Sequence, residues 1–176
     1  MNELDFIQET GNVKWIEELA IEELNMEESG IVNFNDHIDP IYYLEDSSIN
    51  FMNNLRDKFE YFLTNFNELR GNSQNEAKIK IFKISNTVND FMLFRNSLRL
   101  IVTRKANDLI SIGLLANSGE ILPARIDHSE NQHTIHEIKA HVGPFNTITW
   151  RFMGEIIEIN SLVRHYLTEF IRKSAR

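Results

Sequence analysis

The sequence predicts an α+β fold: an antiparallel meander of five or six strands flanked by two amphipathic helices, behind an acidic, partly helical N-terminal arm. Three observations predict it. Two stretches, 48–70 and 155–173, repeat apolar residues at helical spacing. Between them lie short β-like runs separated by turn residues. Charge is split along the chain. Residues 1–48 hold 13 acids and one base, Lys14, and residues 49–176 hold 13 acids and 17 bases. The two parts carry −12 and +4, which sum to the net −8. We therefore read residues 1–48 as an arm and 49–176 as one α+β domain, long enough to bury a real core.

Residues 13–28 (VKWIEELAIEELNMEE) are helical by composition, with Ile16, Ala20 and Leu24 spaced for one face. Glu23 and Glu27 fall on that same stripe, so this helix is not expected to stand alone. Asp39-Pro40 marks a turn, and Ile41, Tyr42, Tyr43 and Leu44 follow it as a short apolar patch. The clearest helix is 48–70. Met52, Leu55, Phe59, Phe62, Phe66 and Leu69 repeat every three or four residues, Ser47 or Ser48 is placed to cap, and Gly71 to terminate. Phe51 and Leu63 widen the stripe, which favours packing on a sheet over a two-stranded coiled coil.

After the loop 71–77 come the strand candidates. They are Lys78–Ser85, Phe91–Arg95, Leu98–Lys105, Leu109–Ala116, Ile121–Ile126, Ile135–Val142 and Phe145–Phe152. Turns at Asn96-Ser97, Asn107-Asp108, Asn117-Ser118-Gly119-Glu120 and Gly143-Pro144 separate them, and residues 128–134 form a polar loop. In 155–173, Ile156, Ile159, Val163, Tyr166, Leu167 and Phe170 share about 100° of arc, opposite Glu158, Ser161, His165, Thr168, Glu169 and Arg172.

The chain has no cysteine, which removes disulfides, thiolate chemistry and Cys-type zinc sites. No apolar run approaches the roughly 18 residues of a membrane span. The first ten residues lack the basic and apolar regions of a secretory leader. The expected compartment is cytoplasmic.

Four histidines, His128, His133, His136 and His141, crowd into 14 residues with Asp127, Glu130 and Glu137 among them. Histidine and carboxylate are good zinc ligands. A strand, however, sends His141 to the side of Glu137 and Lys139, away from His136, and no H-E-x-x-H pattern is present. The simpler reading is a polar loop running into a strand with exposed histidines, and no cofactor is expected. Asn117-Ser118-Gly119-Glu120 lacks the G-x-S-x-G context of a nucleophile and reads as a turn. Asp36-His37-Ile38-Asp39 reads as a solvated acidic turn, and the glycines form no phosphate-cradling loop.

Strand parity points to a basic sheet face. If Leu98, Leu100, Val102, Ile138, Ala140 and Val142 face the core, then Arg99, Thr103, Lys139 and His141 face out, joined by Thr149 and Arg151. Arg95 and Arg104 sit near the strand ends of this surface. Trp150 and Phe152 fall on the core parity, so the expected face lacks stacking platforms for single-stranded nucleic acid. The arm offers the complement: an acidic surface with apolar anchors Trp15, Ile16, Leu19, Leu24, Tyr42 and Tyr43. It could cover the basic face in cis, dock on a second copy as a homodimer, or order on an outside partner.

The function expected from these features is a non-enzymatic protein-interaction module: an adaptor, chaperone-like or regulatory protein. Its partner is another protein or a second copy, with no membrane contact. A nucleic-acid-binding protein with a shielding acidic arm is the alternative, and a metal-dependent enzyme using the histidine cluster is a third reading. The helix–meander–helix outline resembles small acidic bacterial chaperones and adaptors that bind an extended partner segment. That likeness is of outline and implies no site residues.

Overall fold

The computed structural model describes residues 13–32, 39–71, 78–116 and 135–175, and the backbone of 121–122. It divides into two compact units, Met1–Ile38 and Asp39–Arg176. The first contains α1 (Lys14–Ser29). Gly30 ends it in the left-handed conformation, its N–H donating to the Met26 carbonyl at 2.9 Å. None of the residues of α1 is buried.

The second unit opens with α2, a 31-residue helix over Pro40–Arg70. It begins eight residues before the expected start at 48. The Asp39 carboxylate accepts the Ile41 N–H at 3.0 Å, and Pro40 takes the first helical position. An Asp-Pro pair is a helix start as well as a turn, because Asp caps and Pro pre-sets φ. Ser47 and Ser48 do not cap. Ser48 Oγ donates to the Glu45 carbonyl at 2.7 Å and accepts from Arg104 Nη1 at 3.1 Å. Ser47 Oγ accepts the Trp150 indole N–H at 3.1 Å.

Phe51, Met52, Leu55, Phe59 and Leu63 of α2 are buried, but the expected stripe does not hold to its end. Phe66 is half-buried, Phe62 is 38% exposed and Leu69 is 90% exposed. Length explains this. A 31-residue helix spans about 46 Å, whereas the nine-residue strand that is longest here spans about 30 Å. The helix outruns the sheet at both ends, leaving Ile41, Tyr42 and Tyr43 exposed at one and Leu69 at the other.

The sheet is antiparallel and has more strands than expected. They are β1 (Lys80–Lys83), β2 (Phe91–Arg95), β3 (Leu98–Ala106), β4 (Leu109–Ala116), β5 (Ile121–Leu122), β6 (Ile135–Val142), β7 (Ile148–Phe152) and β8 (Glu155–Ile156). The order is β1-β2-β3-β4-β6-β7-β8, with β5 paired to the far end of β4. Leu122 pairs Leu114 and Ile135 pairs Gly113, so the chain leaves β4 at one position and rejoins at the next. The Asn117–Glu120 turn and the 128–134 loop lie outside the described residues.

Tight turns carry the meander. Asn96 and Ser97 both have positive φ (46° and 70°), the two-residue geometry that matches strand twist. Met153 (51°) and Gly154 (88°) do the same between β7 and β8. This hairpin takes Glu155 and Ile156, expected in the last helix, and Ile156 is exposed. The last helix, α3, is therefore Ile159–Ser174. The Glu158 side chain caps it, accepting from the Asn160 N–H at 2.9 Å and the Ser161 N–H at 2.6 Å.

α2 and α3 cover one face of the sheet. The core joins Phe51, Met52, Leu55 and Phe59 of α2 and Val163, Tyr166 and Phe170 of α3 to Phe91, Leu93, Leu100, Val102, Ile110, Ile112 and Ile138. Phe59 meets Phe91 with ring centroids 5.9 Å apart, and Phe51 meets Trp150 at 4.9 Å. Asn67 pins the end of α2 to the approach to β1, bonding both the Ile79 N–H and carbonyl.

Candidate functional site

The uncovered face of the sheet is built from the alternate residues of each strand, and register sorts them into rows. One row runs Phe82, Met92, Ile101, Gly113, Ile135 across β1 to β6. The next runs Lys80, Phe94, Arg99, Leu115. On the other side come Thr103, Ser111 and Glu137, then Leu109, Lys139, Arg151 and Ile156, and last His141 and Thr149. The first row, with Phe94 and Leu115 of the second at its edge, forms an apolar strip: Phe82 is 42% exposed, Ile135 46%, and Met92, Phe94, Ile101 and Leu115 are half-buried. Basic side chains lie on both sides of it, Lys80 and Arg99 on one, Lys105, Lys139 and Arg151 on the other. Glu137 is the one acid in these rows, its carboxylate 3.8 Å from Lys139 Nζ.

A shallow depression of about 700 Å³ lies on the basic half, lined by Lys105, Ser111, Glu137, Lys139, His141 and Arg151. A smaller one, about 180 Å³, sits over Gly113 between Ile101 and Ile135. Arg151 is steered by Thr149, whose hydroxyl accepts from Nε at 3.1 Å.

All six residues expected on the outward face are there. Lys139 and Arg151 are direct neighbours, as are His141 and Thr149. Arg99 sits three rows from Lys139, about 20 Å along the strands. Arg95 and Arg104, expected near this surface, belong to the opposite side. Arg95 shares the core parity, is 5% exposed, and places its guanidinium 5.9 Å from the Phe66 ring. Burial, and then the like charge of Arg70, hold it below the usual arginine value. Arg104 is held at the α2 side by Ser48 and by Asn107 Oδ1 at 2.8 Å. Arg104 keeps the core parity of Leu98, Leu100 and Val102, and the β-bulge follows it, between Arg104 and Ala106.

The expected arm residues divide between the units. Trp15, Ile16, Leu19 and Leu24 lie exposed on α1, whereas Tyr42 and Tyr43 belong to the first turns of α2. The charge division moves with that boundary. Residues 1–38 hold ten acids and Lys14, or −9, and 39–176 hold 16 acids and 17 bases, or +1. The basic character therefore belongs to the sheet face, not to the body as a whole.

The expectation of exposed histidines fails at His136. Its ring is buried on the core side, and its Nδ1 meets the Tyr166 hydroxyl. Burial pushes the Tyr166 pKa up, so the phenol stays protonated. His141 is on the other face of the sheet, so these two histidines cannot share a metal. His128 and His133 lie outside the described residues. Among the described residues no group of three or more His, Asp and Glu could hold a metal ion, and no helix is long and apolar enough to cross a membrane.

The sequence reading missed the apolar strip. The signal was in β2: Phe91-Met92-Leu93-Phe94 is apolar on both faces, which a strand solvated on one side is not. Comparison with known proteins finds no match: no family model, no curated protein and no solved structure matches this chain.

Proposed function

We propose that this protein is a non-enzymatic protein-interaction module, adaptor or chaperone-like in character, whose docking surface is the uncovered sheet face. One observation carries the reading: an apolar strip (Phe82, Met92, Ile101, Ile135) runs between basic side chains (Lys80 and Arg99; Lys105, Lys139 and Arg151). A contiguous exposed apolar surface rimmed by charge is what a recognition site needs. Its complement is an acidic segment that also presents apolar side chains. The charges select and steer such a segment, and burial of the apolar groups supplies the affinity.

Site-specific photo-cross-linking in cells tests this. A cross-linking side chain at Phe82 is expected to yield adducts that map to acidic, apolar-containing segments. The same group at Leu69, exposed on α2, is expected to yield none. Equal adducts at the two positions, or none at 82, would remove the reading.

A second reading has one observation of its own. Phe94 lies in register between Lys80 and Arg99 on the outer face. An aromatic ring beside two bases can stack on a nucleobase while the bases hold phosphate. It predicts single-stranded oligonucleotide binding with a steep salt slope that Phe94→Ala weakens. Salt-independent binding, or none, removes it.

A further inference from the structure

We infer that the resident occupant of the outer sheet face is α1 of a second copy, so that two chains exchange acidic helices reciprocally. The inference rests on the docking-face reading above and names its partner.

The helix has the matching chemistry. At about 100° per residue, Trp15, Leu19 and Met26 fall within about 40° of arc. Glu18 and Glu22 border this ridge on one side, and Glu23 and Glu27 on the other. An apolar ridge between glutamates complements an apolar strip that has Lys80 and Arg99 in the next row on one side and, beyond the Thr103–Ser111–Glu137 row, Lys139 and Arg151 on the other. Trp15 is 58% exposed and Leu19 47%, and no residue of α1 is buried.

The dimensions agree. The ridge from Trp15 to Met26 spans about 16 Å at helical rise. The strip from Phe82 to Ile135 crosses five strands, about 19 Å at the spacing of adjacent strands. A helix laid along this row, across the strands, has Lys80 and Arg99 in the next row on one flank, and Lys105 and Lys139 about 14 Å away on the other, within reach of long glutamate and lysine side chains. A 16-residue helix with interrupted amphipathicity is marginal by itself, so docking would also account for its being helical. A two-fold axis would double each such contact, as in the isologous dimers whose stable interfaces bury roughly 1,200–2,000 Å² in total.

A charge-swap exchange tests this on the full chain. Helix variant Glu22→Lys/Glu23→Lys and face variant Lys105→Glu/Lys139→Glu change exposed residues only, and a retained cooperative melt confirms that the body of each is folded. By light scattering the natural chain is expected at twice its 20.6 kDa, dissociating as salt rises. Each variant alone is expected to dimerise at least ~10-fold more weakly, because like charges then oppose. The equimolar mixture is expected to recover the dimer, since both contacts are again complementary. A monomeric natural chain, a dimer indifferent to both variants, or a mixture that does not recover would each overturn the exchange. A monomer whose position-82 cross-links still map to acidic segments of other proteins would overturn the exchange alone. The same result without such cross-links would overturn the docking face too.

Discussion

Leu55 and Leu69 are the same residue type on the same helix and in the same three-four repeat, so they separate the packing account from the pattern account. Leu55 is fully buried, whereas Leu69 is 90% exposed. Fully burying a leucine contributes about 1.5–3 kcal/mol, and truncation inside a packed core adds a cavity cost, for about 2–5 kcal/mol in all. Leu69 retains about a tenth of the burial, so truncation there removes only ~0.2–0.3 kcal/mol. Leu55→Ala and Leu69→Ala would be compared by urea unfolding followed by circular dichroism. With a slope near ~2 kcal/mol per molar urea, the Leu55→Ala midpoint falls by about 1–2.5 M and the Leu69→Ala midpoint barely moves. Comparable losses at the two positions would place Leu69 in the core, and the argument that α2 outruns its sheet would be wrong.

Three further outcomes follow from single contacts. Hydrogen bonds from Ser161, through side chain and backbone N–H, and from the Asn160 N–H hold the Glu158 carboxyl below its ordinary range. A folded-state value below the unfolded one gives stability that is present above about pH 4.3 and lost as pH falls through the folded value. Glu158→Gln should flatten that part of an acid titration of stability, and an unchanged slope would deny the cap its role. Ser47→Ala removes the acceptor of the Trp150 indole N–H and should cost about 1 kcal/mol, with a shift in tryptophan emission. No loss would mean that water replaces Ser47 without cost. Asn67→Ala breaks two bonds to the Ile79 backbone and should cost about 1–3 kcal/mol with early loss of amide protection at Ile79. Retained protection there would refute the pinning.

The sequence made most of the body legible because local signals and tertiary burial agree in it. The core sides of β3, β4 and β6 follow period-2 alternation, and Val163, Tyr166, Leu167 and Phe170 share the buried side of α3 as their spacing requires. It misled where one local signal admits two outcomes. Asp39-Pro40 starts a helix where a turn was read, because a cap and a turn use the same residues. The apolar repeat of α2 continues past the end of the sheet, where nothing in the repeat marks that the partner has run out. Arg95 has core parity in a sequence position that reads as a strand end.

For the site, the basic residues were found by parity, but the apolar strip between them needed register. Phe82, Met92, Ile101 and Ile135 lie on four strands, and only pairing aligns them in one row. His136 shows the converse. Its polar neighbours read as exposed loop chemistry, whereas its strand turns it inward to Tyr166.

The most direct test is a dilution series of the full-length protein with isoleucine methyl groups observed by nuclear magnetic resonance. Helix exchange onto the outer face predicts that Ile101 and Ile135 shift with concentration in step with the Trp15 indole, while Ile110 and Ile138 on the opposite face stay fixed. Shifts confined to the opposite face or the body's helices, or outer-face methyls that ignore concentration, would contradict it.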